Sequence, residues 1–120
     1  MRIDKELTAA SVVPLLLLLL EQEESYGYRI IKRIRECSQG HWQWSEGMLY
    51  PVLHRLEQRK WIESFWHMAE SGRRRKYYRL TALGRKELHR QLEQWRMIYG
   101  TLSQLGFEHQ SQEKQDEREE

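Results

Sequence analysis

Residues 12–20 read Val-Val-Pro-Leu-Leu-Leu-Leu-Leu-Leu, and this run limits the chain more than any other feature. A bilayer span needs about 20 apolar residues, so the run is too short to cross one. Glu21, Gln22, Glu23 and Glu24 follow it, and no small-residue cleavage site does, which argues against a secretion signal. The remaining reading is a buried helix. A helix that is apolar all round needs neighbours on more than one side. A chain of 120 residues is one domain with an appended arm. So short a chain buries a modest share of its surface, and a second copy would help it.

The rest of the chain divides by periodicity. Ser11 can cap a first helix over 11–22, with Pro14 in its first turn, where amides lack intrahelical acceptors. A second helix, 25–38, carries Ile30, Ile31 and Ile34 on one stripe and ends at Gly40 as a left-handed stop. After the connector 41–44, Ser45 caps a third helix over 45–59. Leu49, Val52, Leu53 and Leu56 follow the i, i+3, i+4, i+7 pattern. Pro51 should bend this helix or confine regular hydrogen bonding to the part beyond it. Residues 61–68 alternate imperfectly and are rich in aromatics, 69–72 supply a turn, and 73–80 read as the return strand. Thr81 caps a fourth helix over 81–105. There Leu88, Leu92, Trp95, Tyr99 and Leu102 are spaced 4, 3, 4, 3, a heptad seam.

Three helices, a hairpin and a long helix specify a mainly α fold with a small β-hairpin: a winged helix-turn-helix over 1–80. The helix over 81–107 is an appended arm. With its leucines turned inward, the third helix would expose Ser45, Glu46, Gly47, Met48, Tyr50, Pro51 and His54 to a major groove. Its N-terminus offers free amides and partial positive charge to a phosphate. Arg73, Arg74, Arg75 and Lys76 at the hairpin tip would grip the backbone of double-stranded DNA without regard to sequence. Residues 108–120 hold six acids and two bases, so of the net +2 the rest of the chain carries +6. A basic body suits a polyanion, and the acidic tail, 108–120, is expected to be disordered.

Blander readings stand beside these. Arg73–Lys76 can be a solvated cluster, Tyr50 a packing residue, and Trp61 and Trp66 are read as hairpin packing. One cysteine, Cys37, excludes an intrachain disulfide and fits the cytoplasm. The five histidines are too scattered for a metal site, and no catalytic constellation or phosphate-cradling loop is visible. The chain is read as a non-enzyme without cofactor. A winged-helix module that binds protein instead of DNA is the alternative.

Tyr26-Gly27-Tyr28 with Ile30-Ile31-Lys32, Ser45-Glu46-Gly47-Met48-Leu49-Tyr50-Pro51 with Leu53-His54-Arg55-Leu56-Glu57, and Gly72–Thr81 followed by Gly84 resemble the PadR-like regulators over residues 11–100. The resemblance implies a cytoplasmic repressor that binds a palindromic operator as a homodimer. It also implies that the last helix forms the dimer with the first, placing Leu16, Leu19, Leu88, Leu92, Trp95, Tyr99 and Leu102 at the interface. In a branch of the family a tryptophan of the last helix lines a pore that takes planar drugs. Trp95 falls at about that place, as a ligand contact or as dimer core. Met48 stands where the family usually has Thr, and Lys60 where it usually has Gly. Lys60 must then accept a left-handed backbone or the helix must end otherwise. Trp61 replaces a small aliphatic residue.

Overall fold

A computed structural model of the chain describes residues 2–108. These comprise α1 (Lys5–Gln22), β1 (Ser25–Tyr26), α2 (Gly27–Cys37), α3 (Glu46–Gln58), β2 (Ile62–Met68), β3 (Arg74–Leu80) and α4 (Ala82–Gln104). Three helices followed by a wing and a long helix are the expected mainly α architecture. The described residues divide into two compact units, which meet in sequence at Leu88 and His89.

In the first unit the core is built from Leu16, Leu17 and Leu20 of α1, Ile30, Ile31 and Ile34 of α2, and Leu49, Val52, Leu53 and Leu56 of α3. Val12, Leu19, Trp44, Ile62, Tyr78 and Leu88 complete it. Burying each such aliphatic side chain contributes roughly 1.5–3 kcal/mol. Tyr78 lies deep enough that burial pushes its phenol above the ordinary tyrosine range, with Glu57 and Tyr50 adding to the shift.

Helix α1 starts earlier than the leucine run suggests. Asp4 accepts the Leu7 amide at 2.9 Å and caps the helix, so Pro14 lies in its interior and not in its first turn. Proline there removes one backbone bond. The proline ring is buried, and that burial offsets the loss. The helix is not buried all round either. Ser11, Leu15 and Leu18, at helical spacing on one stripe, stay half-buried within the chain.

Two residues expected to open α2 form a strand instead. Ser25 and Tyr26 pair antiparallel with Tyr78 and Tyr77, so the hairpin becomes a three-stranded sheet of order β1-β3-β2. Ser25 is buried and its hydroxyl accepts from Arg29 Nε at 3.0 Å. At the other end of α2 the left-handed backbone falls on Gln39 as well as Gly40. The Gly40 amide reaches Arg35 O at 2.8 Å and the Gln39 amide reaches Glu36 O at 3.2 Å, a paired closure of the last turn.

Helix α3 begins at Glu46 with Ser45 as cap, its side chain accepting the Met48 amide at 3.2 Å. Regular bonding starts before Pro51, since the Leu49 amide reaches Ser45 O at 2.9 Å. Pro51 thus does not confine it to the distal part; the acceptor left without its amide is the Gly47 carbonyl. The helix ends like α2. Trp61 N–H donates to Leu56 O at 3.1 Å and Lys60 N–H to Glu57 O at 3.0 Å, with Lys60 at φ +63°. A lysine there bears the left-handed strain that glycine would avoid. Lys60→Gly should therefore stabilise the protein by about 0.5–1 kcal/mol, after allowing for glycine's freer unfolded chain. Urea denaturation would read it, and a loss of stability would show that the lysine side chain carries a contact worth more than the strain.

The turn between β2 and β3 closes through Ala69 N–H to Arg73 O and Gly72 N–H to Ala69 O, both 2.8 Å, with Gly72 at φ +82°. Thr81 caps α4 as expected, its hydroxyl oxygen accepting the Gly84 amide at 2.9 Å.

Candidate nucleic-acid interface

Burying one stripe of α3 presents the opposite one. Ser45, Glu46, Gly47, Tyr50, Pro51, His54 and Arg55 are exposed, as their spacing predicts. Met48 is the exception. It is half-buried and lines cavities beneath the start of α1 together with Ile3 and Thr8, so it does not belong to the exposed stripe. Its i+4 neighbour Val52 is core, and Met48 continues that row one turn back.

A groove of about 330 Å3 joins the third helix to the wing. Glu46 and Tyr50 line one side and Arg75 and Lys76 another, with Tyr26, Tyr28 and Trp66 contributing rings. The helix and hairpin residues singled out from sequence are thereby brought together. Three of the lining aromatics were not among them. Tyr26 and Tyr28 were visible only as part of a motif. Trp66, read as packing, is 60% exposed. It shares a strand face with Ile62 and Ser64, but that face runs past the end of the core.

Cations and rings alternate across this surface. Arg75 lies 4.5 Å from the Tyr26 ring centre, Arg74 5.0 Å from Trp66 and Lys76 5.7 Å from Tyr78. Arg29 sits over both Tyr26 and Tyr77, at 5.2 and 5.7 Å. Each contact contributes roughly 0.5–1 kcal/mol at an exposed site. They hold the guanidinium groups in place without neutralising them. Arg73, Arg74 and Lys76 are exposed, while Arg75 is half-buried. The arrangement offers fixed positive charge beside a helix N-terminus, which suits phosphate.

Tyr50 owes its position to Gly27. A Cβ at Gly27 would lie 2.6 Å from Tyr50 Oη and 3.0 Å from its ring carbon Cζ. Gly27→Ala should leave stability within about 1 kcal/mol of the parent, because it opens α2 with a better helix former while a half-exposed ring gives way. The Tyr50 ring signals in an NMR spectrum should move. Unchanged signals would mean the ring does not rest on Gly27.

The residues expected at a subunit interface separate into two groups. Leu16 and Leu88, each 0% exposed, and buried Leu19 belong to the chain's own core and leave no surface for a partner. The periodicity of the seam could not tell a leucine that fills its own chain's core from one left for a partner. Within residues 89–108, Leu92 and Trp95 are half-buried, and Tyr99 and Leu102 are exposed. Ile98, Leu105 and Phe107 add exposed apolar surface. Tyr99 stacks edge-on with Phe107 at 6.3 Å and donates its hydroxyl to Glu108. That hydrogen bond, with the carboxylate's charge, raises the Tyr99 phenol above its ordinary value. The expected acidic tail lies, beyond Glu108, outside the described residues.

No group of His, Cys, Asp or Glu among the described residues could hold a metal ion, and no helix among them is long and apolar enough to cross a membrane.

Comparison with known proteins agrees with this geometry. The model of the transcriptional regulator PadR-like family matches residues 16–90. An uncharacterized protein of Lysinibacillus sphaericus is 35% identical over 81 residues, 68% of this chain and 74% of that one. Transcriptional regulator YqjI of Escherichia coli is 32% identical over 80 residues, which cover 67% of this chain but only 37% of that regulator. A PadR-like transcriptional regulator from Bacillus cereus superimposes with a TM-score of 0.77 at 30% identity, over 84% of this chain and 96% of that one. A transcriptional regulator from Clostridium thermocellum gives 0.75 at 31% identity, over 83% and 97%.

Proposed function

The chain belongs to the PadR-like family of transcriptional regulators, which are not enzymes, and on that premise we propose that it is a repressor that binds a palindromic operator as a homodimer in the cytoplasm. The observation that carries this reading is the groove in which Glu46 and Tyr50 of α3 face Arg75 and Lys76 of the wing. In this reading α3 enters the major groove, where Glu46, Tyr50 and His54 meet base edges and Ser45, Gly47 and Pro51 lie against the backbone. The wing residues Arg73–Lys76 hold phosphates on either side.

Residues 1–80 act as the reading head and 81–107 as the joining arm, followed by an acidic tail. The second copy covers the accessible stripe of Leu92, Trp95, Tyr99 and Leu102 on α4. On α1 it covers Leu15 and Leu18 in place of Leu16 and Leu19. Both stripes carry large apolar side chains that one chain covers only in part, which supports the assignment. A small planar aromatic effector seated against Trp95 would release the operator.

Selection of bound duplexes from a random pool tests this directly. The expected product is an inverted repeat whose half-sites are about one helical turn apart, bound by a dimer in sedimentation. A monomer at micromolar concentration, or a pool with no enriched sequence, would refute the proposal.

A further inference from the structure

Two cavities adjoin beneath the start of α1 and share Ile3, Thr8 and Met48 as walls, with Ser45 and Arg55 of the exposed stripe of α3 also in their linings. One, of about 260 Å3, is lined also by Trp42, Trp44 and Ser45. The other, of about 430 Å3, has the apolar walls Ala9, Val12 and Val52. Volumes of this order suit a small organic molecule.

Two observations give the space a chemistry. The indole N–H groups of Trp42 and Trp44 are buried without an acceptor, and Trp44 as a whole is 5% exposed. A buried donor left unpaired costs about 1–3 kcal/mol, so such groups call for an explanation. The ionisable side chains in the two linings are Arg2, Lys5, His41 and Arg55, all basic, with no carboxylate among them. Basic groups and unpaired donors around an apolar hollow favour a ligand that brings acceptor oxygens and negative charge on an apolar body.

We propose that these cavities form a binding site for a small amphiphilic anion, its apolar body against Ile3, Val12, Met48 and Val52 and its oxygens toward Trp42, Trp44 and the basic residues. Both indole nitrogens are shut off from the cavity, so the binding proposed here requires the Trp42 and Trp44 rings to turn toward the ligand as it enters. Because Ser45 and Met48 form the cap and first turn of α3, occupancy alters how that helix meets duplex DNA. That consequence rests on the proposed function. The binding itself does not, and its test uses no DNA, so the two can fail separately.

The probe is octanoate, titrated into the full-length 15N-labelled protein, with octanol and octylammonium as neutral and cationic matches. Five tryptophans give five indole N–H signals, assigned by single Trp→Phe variants. Octanoate should move the Trp42 and Trp44 signals together and saturably. Octylammonium should bind at least about tenfold more weakly. Thr8→Phe, which fills the shared wall, should abolish the response. Should that variant not fold, Lys5→Gln with Arg55→Gln changes only exposed side chains and should weaken octanoate about two- to fivefold. Non-saturating shifts, movement confined to Trp61, Trp66 or Trp95, or octylammonium binding as tightly as octanoate would each overturn the assignment.

Discussion

Gly84→Ala is expected to destabilise the protein by about 2 kcal/mol, more than any surface substitution in the chain. A Cβ at Gly84 would lie 1.9 Å from the Trp61 carbonyl oxygen and 2.8 Å from Leu80 Cδ1. The carbonyl cannot move aside. It accepts the Thr81 amide at 3.1 Å and the Thr81 hydroxyl at 3.0 Å, and it follows directly on the end of α3. The first turn of α4 must shift instead, and with it goes the cap from Thr81, worth about 1 kcal/mol. Overpacking adds about 1–3 kcal/mol, offset in part by alanine's better helix propensity. Gly100→Ala is the control on the same helix. Among the described residues nothing outside its own stretch of helix lies within 4 Å of its Cβ position, so it should be neutral or stabilise by up to about 1 kcal/mol. Guanidinium denaturation of both variants decides the matter. A loss below about 1 kcal/mol at Gly84 would mean that α4 does not rest on the Trp61 backbone.

Replacing Arg73, Arg74 and Arg75 together by alanine should weaken duplex binding about a hundredfold near physiological salt, for specific and unrelated sequences alike. Three lost phosphate contacts also make the salt dependence shallower by about three in the log–log slope. Arg73 and Arg74 are exposed, so their loss acts on the ligand and hardly on the fold. Arg75 is different, because it is half-buried over Tyr26 and its removal also loosens the wing. Arg73→Ala with Arg74→Ala alone should thus give most of the slope change at a stability cost of no more than about 0.5–1 kcal/mol, the Arg74–Trp66 contact. Fluorescence anisotropy with a labelled duplex at several salt concentrations reads both quantities. A triple variant that bound like its parent at moderate salt would remove the wing from the interface.

Much of this was legible from residues because the signals were local. Ser45 three residues before Met48, and the leucine spacing that follows, placed α3 and its exposed stripe almost to the residue. A Gly-containing turn between two aromatic runs placed the wing, and the departure at Lys60 left two ways to end α3, of which the structure takes the left-handed backbone. What was missed depends on partners distant in sequence. Ser25–Tyr26 is too short to show alternation, and only pairing with Tyr77 and Tyr78 makes it a strand. Met48 reads with the exposed stripe in sequence yet turns inward, because α1 extends back to Asp4 and covers it. Leu16 and Leu88 carry the right period for an interface, but period does not say whose surface fills the other side. Trp66 shows the reverse, a core-type residue on a strand that outruns the core.

The short strand at Ser25–Tyr26 has a mechanical consequence. It braces β3 only at Tyr77 and Tyr78, where three strands lie abreast, while from Lys76 outward β3 has β2 alone for company. The hairpin thus has a stiff root and a compliant tip. The root ties its angle to the beginning of α2, and the outer rungs can bend to follow whatever contour they are laid upon. Amide hydrogen exchange should grade accordingly along β3, slowest at Tyr77 and Tyr78 and faster toward Arg74.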